Sequence, residues 1–129
     1  MSRDFNKNKV AVLTGAAKKI GRSTAIKLAE QGFNILIHTG GKSIEEAKDT
    51  IKLLEKFKIK SNYVTGDLAN LETINIIKDA ALKLGTPSVL VNNAGLRIHE
   101  HFEKIDYKDW KKVMTVNVDA SFLCAQALI

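Results

Sequence analysis

Thr14-Gly15-Ala16-Ala17-Lys18-Lys19-Ile20-Gly21 is the stretch that decides the fold, because an apolar strand precedes it and an amphipathic helix follows it. Residues 10–13 read Val-Ala-Val-Leu, and in residues 22–31 the apolar positions recur at helical spacing. A turn of small residues between a strand and a helix is where α/β folds bind a dinucleotide pyrophosphate, because the first helical N–H groups point there. The stretch therefore predicts a dinucleotide site; the alternative is a tight turn without a ligand.

Strand and helix patterns alternate along the rest of the chain without a linker or a repeat. Ser43 is a predicted helix N-cap, with Glu46 completing a capping box, and Gly32 and Gly85 follow predicted helix ends. The predicted strands are 9–14, 34–38, 62–65 and 88–91, and the predicted helices are 20–31, one beginning after Ser43, 71–84 and about 107–129. This order predicts an α/β fold, a doubly wound parallel sheet with helices on both faces.

Length and composition indicate one domain, residues 1–129, with a net charge of +6. The 17 lysines are scattered over what look like solvent faces, and there are only three arginines, so nucleic-acid binding is not favoured. Cys124 has no partner for an internal disulfide, and we predict a buried thiol. No stretch is apolar enough to span a membrane, and the polar N-terminus does not resemble a signal peptide, so we expect a cytoplasmic protein.

The ends of the later strands also carry polar or small residues. Residues 38–43 contain no acid, whereas an NAD site usually has one there to bind the ribose 2′-hydroxyl. Lys42 and Ser43 suit a 2′-phosphate instead, so NADP is favoured; the alternative for Lys42 is a plain surface lysine. Asp67 is a candidate for the adenine amino group. Residues 92–95, Asn-Asn-Ala-Gly, suit a ribose or nicotinamide, although Asn92 is equally a candidate for a structural tie.

These motifs together resemble the short-chain dehydrogenase/reductase family over residues 10–129. The resemblance implies a Rossmann-type fold that binds NAD(P)H, and it implies a role for each motif. The residues it assigns to the cofactor are Thr14, Gly15, Lys18, Lys19, Ile20 and Gly21 at the phosphates, Asp67 and Leu68 at adenine, and Asn93, Ala94 and Gly95 at ribose. Asn117, on the last helix, is the family's asparagine that positions a proton-relay water.

Within that family, residues 16–23 are most similar to the pteridine reductases and the related dihydropteridine or dihydromonapterin reductases. That branch replaces the middle glycine of the turn with a basic residue, and here the residue is Lys19. Leu96 and Arg97 depart from the branch, since an aromatic residue able to stack on a pterin would be expected there. A reductase of 3-oxoacyl thioesters or other small carbonyls is the alternative within the family.

The family's chemistry needs a serine and a Tyr-x-x-x-Lys pair after the asparagine of the last helix. Tyr107 and Lys111 have the spacing but precede Asn117, so we predict that they are surface residues. The chain also ends in an apolar helix, with the fourth strand expected to lack a neighbour. We therefore expect an N-terminal half, truncated after the fourth strand and the helix that follows, that binds the cofactor without turnover.

Two further expectations concern partners and metals. An open fourth-strand edge or the apolar last helix predicts a homo-oligomer, beside a small-molecule substrate. The pair His99 and His101, around Glu100, lacks a third convergent ligand, so we expect no metal site. A non-catalytic nucleotide-binding or assembly module is the alternative from another functional class.

Overall fold

In the computed structural model, which describes residues 3–129, strands and helices alternate as the sequence predicts. The strands are β1 (Lys9–Leu13), β2 (Asn34–Thr39), β3 (Ser61–Thr65) and β4 (Thr86–Val91). The helices are α1 (Lys19–Glu30), α2 (Ile44–Leu54), α3 (Leu71–Leu84), α4 (Tyr107–Met114) and α5 (Ala120–Leu128).

The four strands form one parallel sheet in the order β3-β2-β1-β4. β1 and β2 lie in the middle and are buried almost throughout, whereas β3 and β4 are the edges of the sheet within residues 3–129. All four strands point the same way, so the turns that follow them lie along one edge of the sheet.

Two hydrophobic cores, one on each face of the sheet, confirm the doubly wound fold. Ala11, Leu13, Ile35 and Ile37 point to the face covered by α1 and α2. The alternate residues of the same strands pack under α3 and α5 in a second core. The buried residues of this core are Val10, Val12, Leu36, Leu68, Ile74, Ile77, Ala81, Ala120 and Cys124. Cys124 is buried as predicted, and its burial raises the pKa of the thiol.

β4 begins at Thr86, two residues earlier than the sequence pattern indicates, and it includes Pro87. The register with β1 shifts between Val10, which pairs with Pro87, and Ala11, which pairs with Val89, so Ser88 is an extra residue. Proline has no N–H for the ladder and is tolerated on an edge strand beside such a bulge.

Two local expectations are wrong. Ser43 occupies the N-cap position of α2, but its side chain makes no capping hydrogen bond. The last helix is not uniformly α-helical, because a π-helical turn at Thr115–Asp119 separates α4 from α5. Within residues 3–129, no helix is both long enough and apolar enough to cross a membrane.

Candidate functional site

The turns after β1, β2, β3 and β4 are joined by hydrogen bonds along the carboxyl edge of the sheet. The amide of Ala16 donates to the His38 carbonyl at 3.0 Å, and the amide of Gly66 donates to the Thr39 carbonyl at 3.1 Å. The side-chain amide of Asn93 donates to the Gly15 carbonyl at 2.9 Å. The four sequence segments chosen as candidates are thus neighbours in space.

The turn after β1 is closely packed and depends on two glycines. Gly15 has φ +58, and a Cβ on it would lie 2.7 Å from the Ala94 Cα. A Cβ on Gly21 would collide with the backbone of Ala16, so α1 starts directly against the end of β1. This contact brings the first turn of α1 to the sheet edge, where a ligand can approach its N–H groups.

The N-terminus of α1 is suited to an anion. Lys18 is the N-cap residue, with φ −152, and it makes no side-chain cap, so the first N–H groups keep no side-chain partner there. The first turn of α1 contains no acid, and Lys18, Lys19 and Ile20 are all exposed. Lys19 has φ +55, a left-handed conformation that explains why a glycine suits this position.

Arg22 is a structural residue of this turn that the sequence patterns did not single out. Its Nε donates to the Thr50 hydroxyl at 2.7 Å, and a terminal nitrogen donates to the carbonyls of Ala17 and Glu46 at 3.3 and 3.1 Å. The Thr50 hydroxyl in turn donates to the Ala17 carbonyl at 2.7 Å. The turn is therefore tied to α2; a single sequence gives no signal for this, because the partners are far apart in the chain.

At the end of β2, Lys42 is exposed and Ser43 is half-buried at the start of α2. Gly40 and Gly41 have open space around them, so the segment leaves room for a ligand group. Residues 38–43 themselves contain no carboxylate, and the Ser43 hydroxyl is not used as a helix cap.

His38, also missed as a site residue, is buried beneath this edge. Its ring lies between the amide of Gly15, 3.2 Å from Nδ1, and the carbonyl of Gly66, 2.8 Å from Nε2. Burial lowers the pKa of His38, and the hydrogen bond to Gly66 and the charge of Asp67 partly oppose that shift.

The turn after β3 places Asp67 at the surface and Leu68 in the core. One carboxylate oxygen of Asp67 accepts a hydrogen bond from the Ala69 amide at 2.9 Å, which holds the loop ahead of α3. The other oxygen of this exposed carboxylate is available to a ligand, whereas Leu68 can offer only its backbone.

The turn after β4 is held by two polar side chains of its neighbourhood. The buried Thr14 hydroxyl accepts a hydrogen bond from the Ala94 amide at 3.1 Å, and Asn93 binds Gly15 as described above. The tie considered for Asn92 is thus made by Asn93, and Asn92 and Gly95 are exposed. Thr14 and Asn93 shape the site through their side chains, while Ala94 and Gly95 present backbone to it.

Asn117 lies in the π-helical turn between α4 and α5 and faces the same region. Its side-chain amide accepts from the Leu96 amide and donates to the Leu96 carbonyl, both at 2.7 Å. π-helical turns inside α-helices are frequent at functional sites. Here the π-helical turn places the Asn117 amide against the segment that follows β4, and the two hydrogen bonds to Leu96 hold that segment in position.

Tyr107 and Lys111 lie on α4 and are both exposed, Tyr107 to 71%. The Lys111 ammonium lies 5.7 Å from the centre of the Tyr107 ring. The prediction that this pair is at the surface is confirmed. What the sheet edge assembles is a set of backbone N–H groups, lysines and amides suited to binding a nucleotide.

Comparison with known proteins gives relatives of the same architecture. A 3-oxoacyl-[acyl-carrier-protein] reductase FabG from Staphylococcus epidermidis is 35% identical over 125 residues, covering 92% of this chain and 49% of that protein. An L-2,3-butanediol dehydrogenase from Corynebacterium glutamicum is 39% identical over 123 residues, 93% of this chain and 47% of the relative. The crystal structure of acetoin dehydrogenase YohF from Salmonella typhimurium has a TM-score of 0.84 at 32% identity, with coverages of 94% and 48%.

The chain thus spans about half the length of the curated relatives that it matches. The likeness is not confined to one motif, because it covers every strand and helix described above. The family model for short chain dehydrogenases matches residues 9–129, and the chain therefore belongs to the short-chain dehydrogenase family.

Proposed function

We propose that this chain is the cofactor-binding half of an NADPH-dependent reductase. Members of its family are oxidoreductases that bind NAD(P), and the edge described above fits such a cofactor. The observation that carries the proposal is the start of α1. Its first N–H groups have no side-chain cap, two exposed lysines lie beside them, and the close contact of Gly21 with Ala16 brings this helix end to the sheet edge, where a pyrophosphate can bind.

The backbone N–H groups from Lys18 to Gly21 are assigned to the pyrophosphate, and Gly15 is assigned to shaping the turn beneath it, since its own N–H and carbonyl are bonded to His38 and Asn93. Thr14 supports the turn by holding Ala94, and the exposed Ile20, in the first turn of α1, is assigned to the pyrophosphate through its backbone. The helix dipole and the Lys18 and Lys19 ammonium groups both favour a negatively charged ligand at this position.

The preference for NADP over NAD follows from charge at the end of β2. Lys42 and the Ser43 hydroxyl are assigned to the 2′-phosphate, since a lysine attracts that group whereas a carboxylate would repel it. The exposed oxygen of Asp67 and the backbone of Leu68 are assigned to adenine. Asn93, Ala94 and Gly95 are assigned to ribose.

A carbonyl group is the proposed site of reduction. The nicotinamide, when bound, supplies a hydride to the carbonyl carbon, and a proton must then reach the oxygen. Asn117 is assigned to positioning the water of that proton path. The names of the relatives, a 3-oxoacyl reductase, a butanediol dehydrogenase and an acetoin dehydrogenase, support a small carbonyl or 3-oxoacyl substrate.

A pterin is the second candidate substrate, and Lys19 is the observation in its favour. Its exposed side chain leaves the turn at the position where pteridine reductase-like enzymes have their basic residue. Lysine lacks the planar fork of arginine, so its contact with a pterin would be a single point charge. Saturation of the chain with a pterin should raise its melting temperature if this assignment is right; a 3-oxoacyl thioester should do so if the first is right.

The test of the proposed function is the affinity for four ligands, NADPH, NADH, NADP and NAD, measured by isothermal titration calorimetry on the 129-residue chain. Lys42→Asp should weaken NADPH binding roughly tenfold, or ~1.4 kcal/mol, while changing NADH binding little. Lys48→Asp is the matched control, since Lys48 is also exposed but lies within α2 and pairs with Glu45. Equal losses for NADPH and NADH would refute the 2′-phosphate assignment.

An activity measurement tests whether this chain only binds the cofactor. The isolated chain is expected to bind NADPH without oxidising it in the presence of acetoin or a 3-oxoacyl thioester, because its Tyr107 and Lys111 precede Asn117 and are exposed on α4. Turnover by this chain would contradict the assignment of cofactor binding alone.

A further inference from the structure

His38 connects the turn after β1 to the turn after β3 through its ring. The side chain is 2% exposed, and both ring nitrogens meet backbone groups of these turns, Gly15 at 3.2 Å and Gly66 at 2.8 Å. Its own carbonyl accepts a third hydrogen bond, from the Ala16 amide at 3.0 Å. His38 therefore bonds to the consecutive amides of Gly15 and Ala16 and to the carbonyl of Gly66, the residue before Asp67. Gly15 and Ala16 belong to the turn after β1, residues 14–21, which is called the phosphate turn below.

The two partners of the ring select one tautomer. The Gly66 carbonyl can only accept, so Nε2 carries the proton; the Gly15 amide can only donate, so Nδ1 keeps its lone pair. Neutral imidazole with the proton on Nε2 satisfies both, and neither the opposite tautomer nor the imidazolium does. The buried ring thus has a single protonation state that fits its surroundings.

These bonds also determine which amides of the turn remain for a ligand. The N–H groups of Gly15 and Ala16 are both used by His38 and point away from the edge. The open N–H groups are therefore those that follow, at the start of α1. The position of Gly66 similarly sets where Asp67 leaves β3.

We propose that His38 is a positioning residue of the cofactor site, a neutral ring that fixes the phosphate turn against the adenine-side turn. The inference rests on the proposed function, because it concerns the site assigned there to NADPH. It adds a residue that lies below the site and acts through Gly15 and Gly66 without contacting the ligand.

The groups around the His38 ring favour its neutral form in the folded protein. β3 places Val64 beside His38 in register, the turn after β1 contributes main chain, and α3 presents Thr73 toward Gly66. α1 and α2 pack on the opposite face of β2, over Ile35 and Ile37. The charged group that acts on the ring is Asp67, which raises the pKa, but burial has the larger effect and lowers it.

Three substitutions separate the two bonds. His38→Asn places an amide oxygen near the position of Nδ1 and can still accept from Gly15. His38→Gln places an amide nitrogen near Nε2 and can still donate to Gly66. His38→Phe keeps the ring volume and removes both bonds.

The matched control is Asn34→Leu. Asn34 lies at the other end of β2, is buried, and likewise bonds two distant backbone groups, donating to the Leu84 carbonyl at 2.7 Å and accepting from the Lys60 amide at 2.9 Å. It therefore matches His38 in burial and bond count but lies away from the strand ends that form the site. Its loss should lower the melting temperature and leave NADPH affinity within about twofold.

The affinity measurement is calorimetric titration of NADPH into each variant at neutral pH. His38→Phe is expected to raise the Kd at least tenfold, with His38→Asn and His38→Gln falling between it and the unsubstituted chain. A Kd for His38→Phe equal to that of the unsubstituted chain would overturn the proposal. If His38→Phe does not fold, the same comparison is decided by His38→Asn and His38→Gln against Asn34→Leu, and equal affinities among these three would overturn it.

NMR tests the hydrogen bonds of the His38 ring to Gly15 and Gly66 without any ligand. The ring nitrogens of His38 should show the neutral form protonated at Nε2. Hydrogen exchange at the Gly15 amide should be slow in the unsubstituted chain and in His38→Asn, and much faster in His38→Phe. A ring protonated at Nδ1, or fast exchange of Gly15 in the unsubstituted chain, would overturn the proposal. Failure of the unsubstituted chain to bind any of the four dinucleotides would instead refute the proposed function, and these NMR results would still decide the role of His38.

Discussion

The backbone conformation of Lys19 explains why its position in the turn favours glycine. A lysine at φ +55 pays a steric cost that glycine does not, on the order of 1 kcal/mol. The sequence alone marks Lys19 as a residue in a glycine position, and the structure gives the physical reason for that preference.

Lys19→Gly is therefore expected to stabilise the fold by up to ~1 kcal/mol while weakening NADPH binding. Urea unfolding and calorimetric titration measure the two effects. Lys18→Gly is the control, because Lys18 has an extended φ of −152 that any residue adopts. Glycine at that position relieves no strain and only adds conformational freedom to the chain, so this variant should not be more stable. The explanation fails if Lys19→Gly is no more stable than Lys18→Gly.

The titration of His38 gives a prediction for the pH dependence of stability. The pKa in the folded protein lies below the ordinary value of 6.5, so as the pH falls through 6.5 the unfolded chain takes up a proton that the folded chain refuses. The contribution is complete above pH 6.5 and is lost progressively below it, with a slope of at most ~1.4 kcal/mol per pH unit. Urea unfolding between about pH 5 and about pH 7.5 measures it.

His38→Asn is the reference for that measurement, since asparagine does not titrate. The free energy of unfolding of this variant should change less over the same range than that of the unsubstituted chain. Parallel pH profiles would show that the imidazole is equally basic in the folded and unfolded states.

Residue roles could be predicted from the sequence only where they follow from local geometry. Gly15 and Gly21 belong to a strand–turn–helix pattern, and the structure gives each a steric requirement. His38 and Arg22 act through backbone groups that are distant in sequence, and no local pattern encodes that pairing. The predicted roles of Lys42 and Asp67 in binding await the measurements proposed above.

At the scale of elements, α1 and α2 are joined to the phosphate turn by a small polar cluster of Arg22, Thr50 and Ala17. Thr50 is fully buried and donates to the Ala17 carbonyl while accepting from Arg22. The cluster relates the spacing of two helices to the shape of the turn that they flank.

Thr50→Val keeps the side-chain shape but leaves the Arg22 Nε and the Ala17 carbonyl short of a partner, so a loss of ~1–3 kcal/mol is expected. Thr24→Val is the control, because the Thr24 hydroxyl bonds only to the Ile20 carbonyl of its own helix, a bond that contributes little. Urea unfolding of both variants gives the comparison. Similar losses at the two positions would show that the cluster does not stabilise the turn.

The boundaries of strands and helices were predicted well where glycines and apolar periodicity coincide, as for α1 and α3. The pattern placed the start of β4 too late, because it gave no sign that an edge strand with a bulge accommodates Pro87. It also missed the π-helical turn at Thr115–Asp119, because one wider turn is too short to be told from an α-helical turn by apolar spacing.

At the scale of the molecule, the alternation of strands and helices was enough to predict a parallel sheet covered on both faces. The order β3-β2-β1-β4 explains why the site forms where it does. β1 lies between β2 and β4, so His38 of β2 and Asn93 of the turn after β4 both reach Gly15 in the turn after β1.

Self-association is the last prediction, and it follows from the apolar surface of the final helical segment. Trp110, Met114, Val118 and Phe122 recur every four residues and are exposed, from 38% at Met114 to 63% at Phe122. Such a stripe on one side of a helix is typical of an interface. The open edge of β4 is a second candidate surface.

The 129-residue chain is therefore expected to form oligomers at high concentration in sedimentation velocity. Phe122→Glu should shift the chain toward monomer, because it places a charge in the middle of the stripe, whereas Leu53→Glu, at an exposed apolar residue of α2, should not. If Phe122→Glu leaves the oligomer intact, the β4 edge is the contact, since backbone pairing along a strand does not depend on that side chain. A chain that stays monomeric at high concentration would contradict both surfaces.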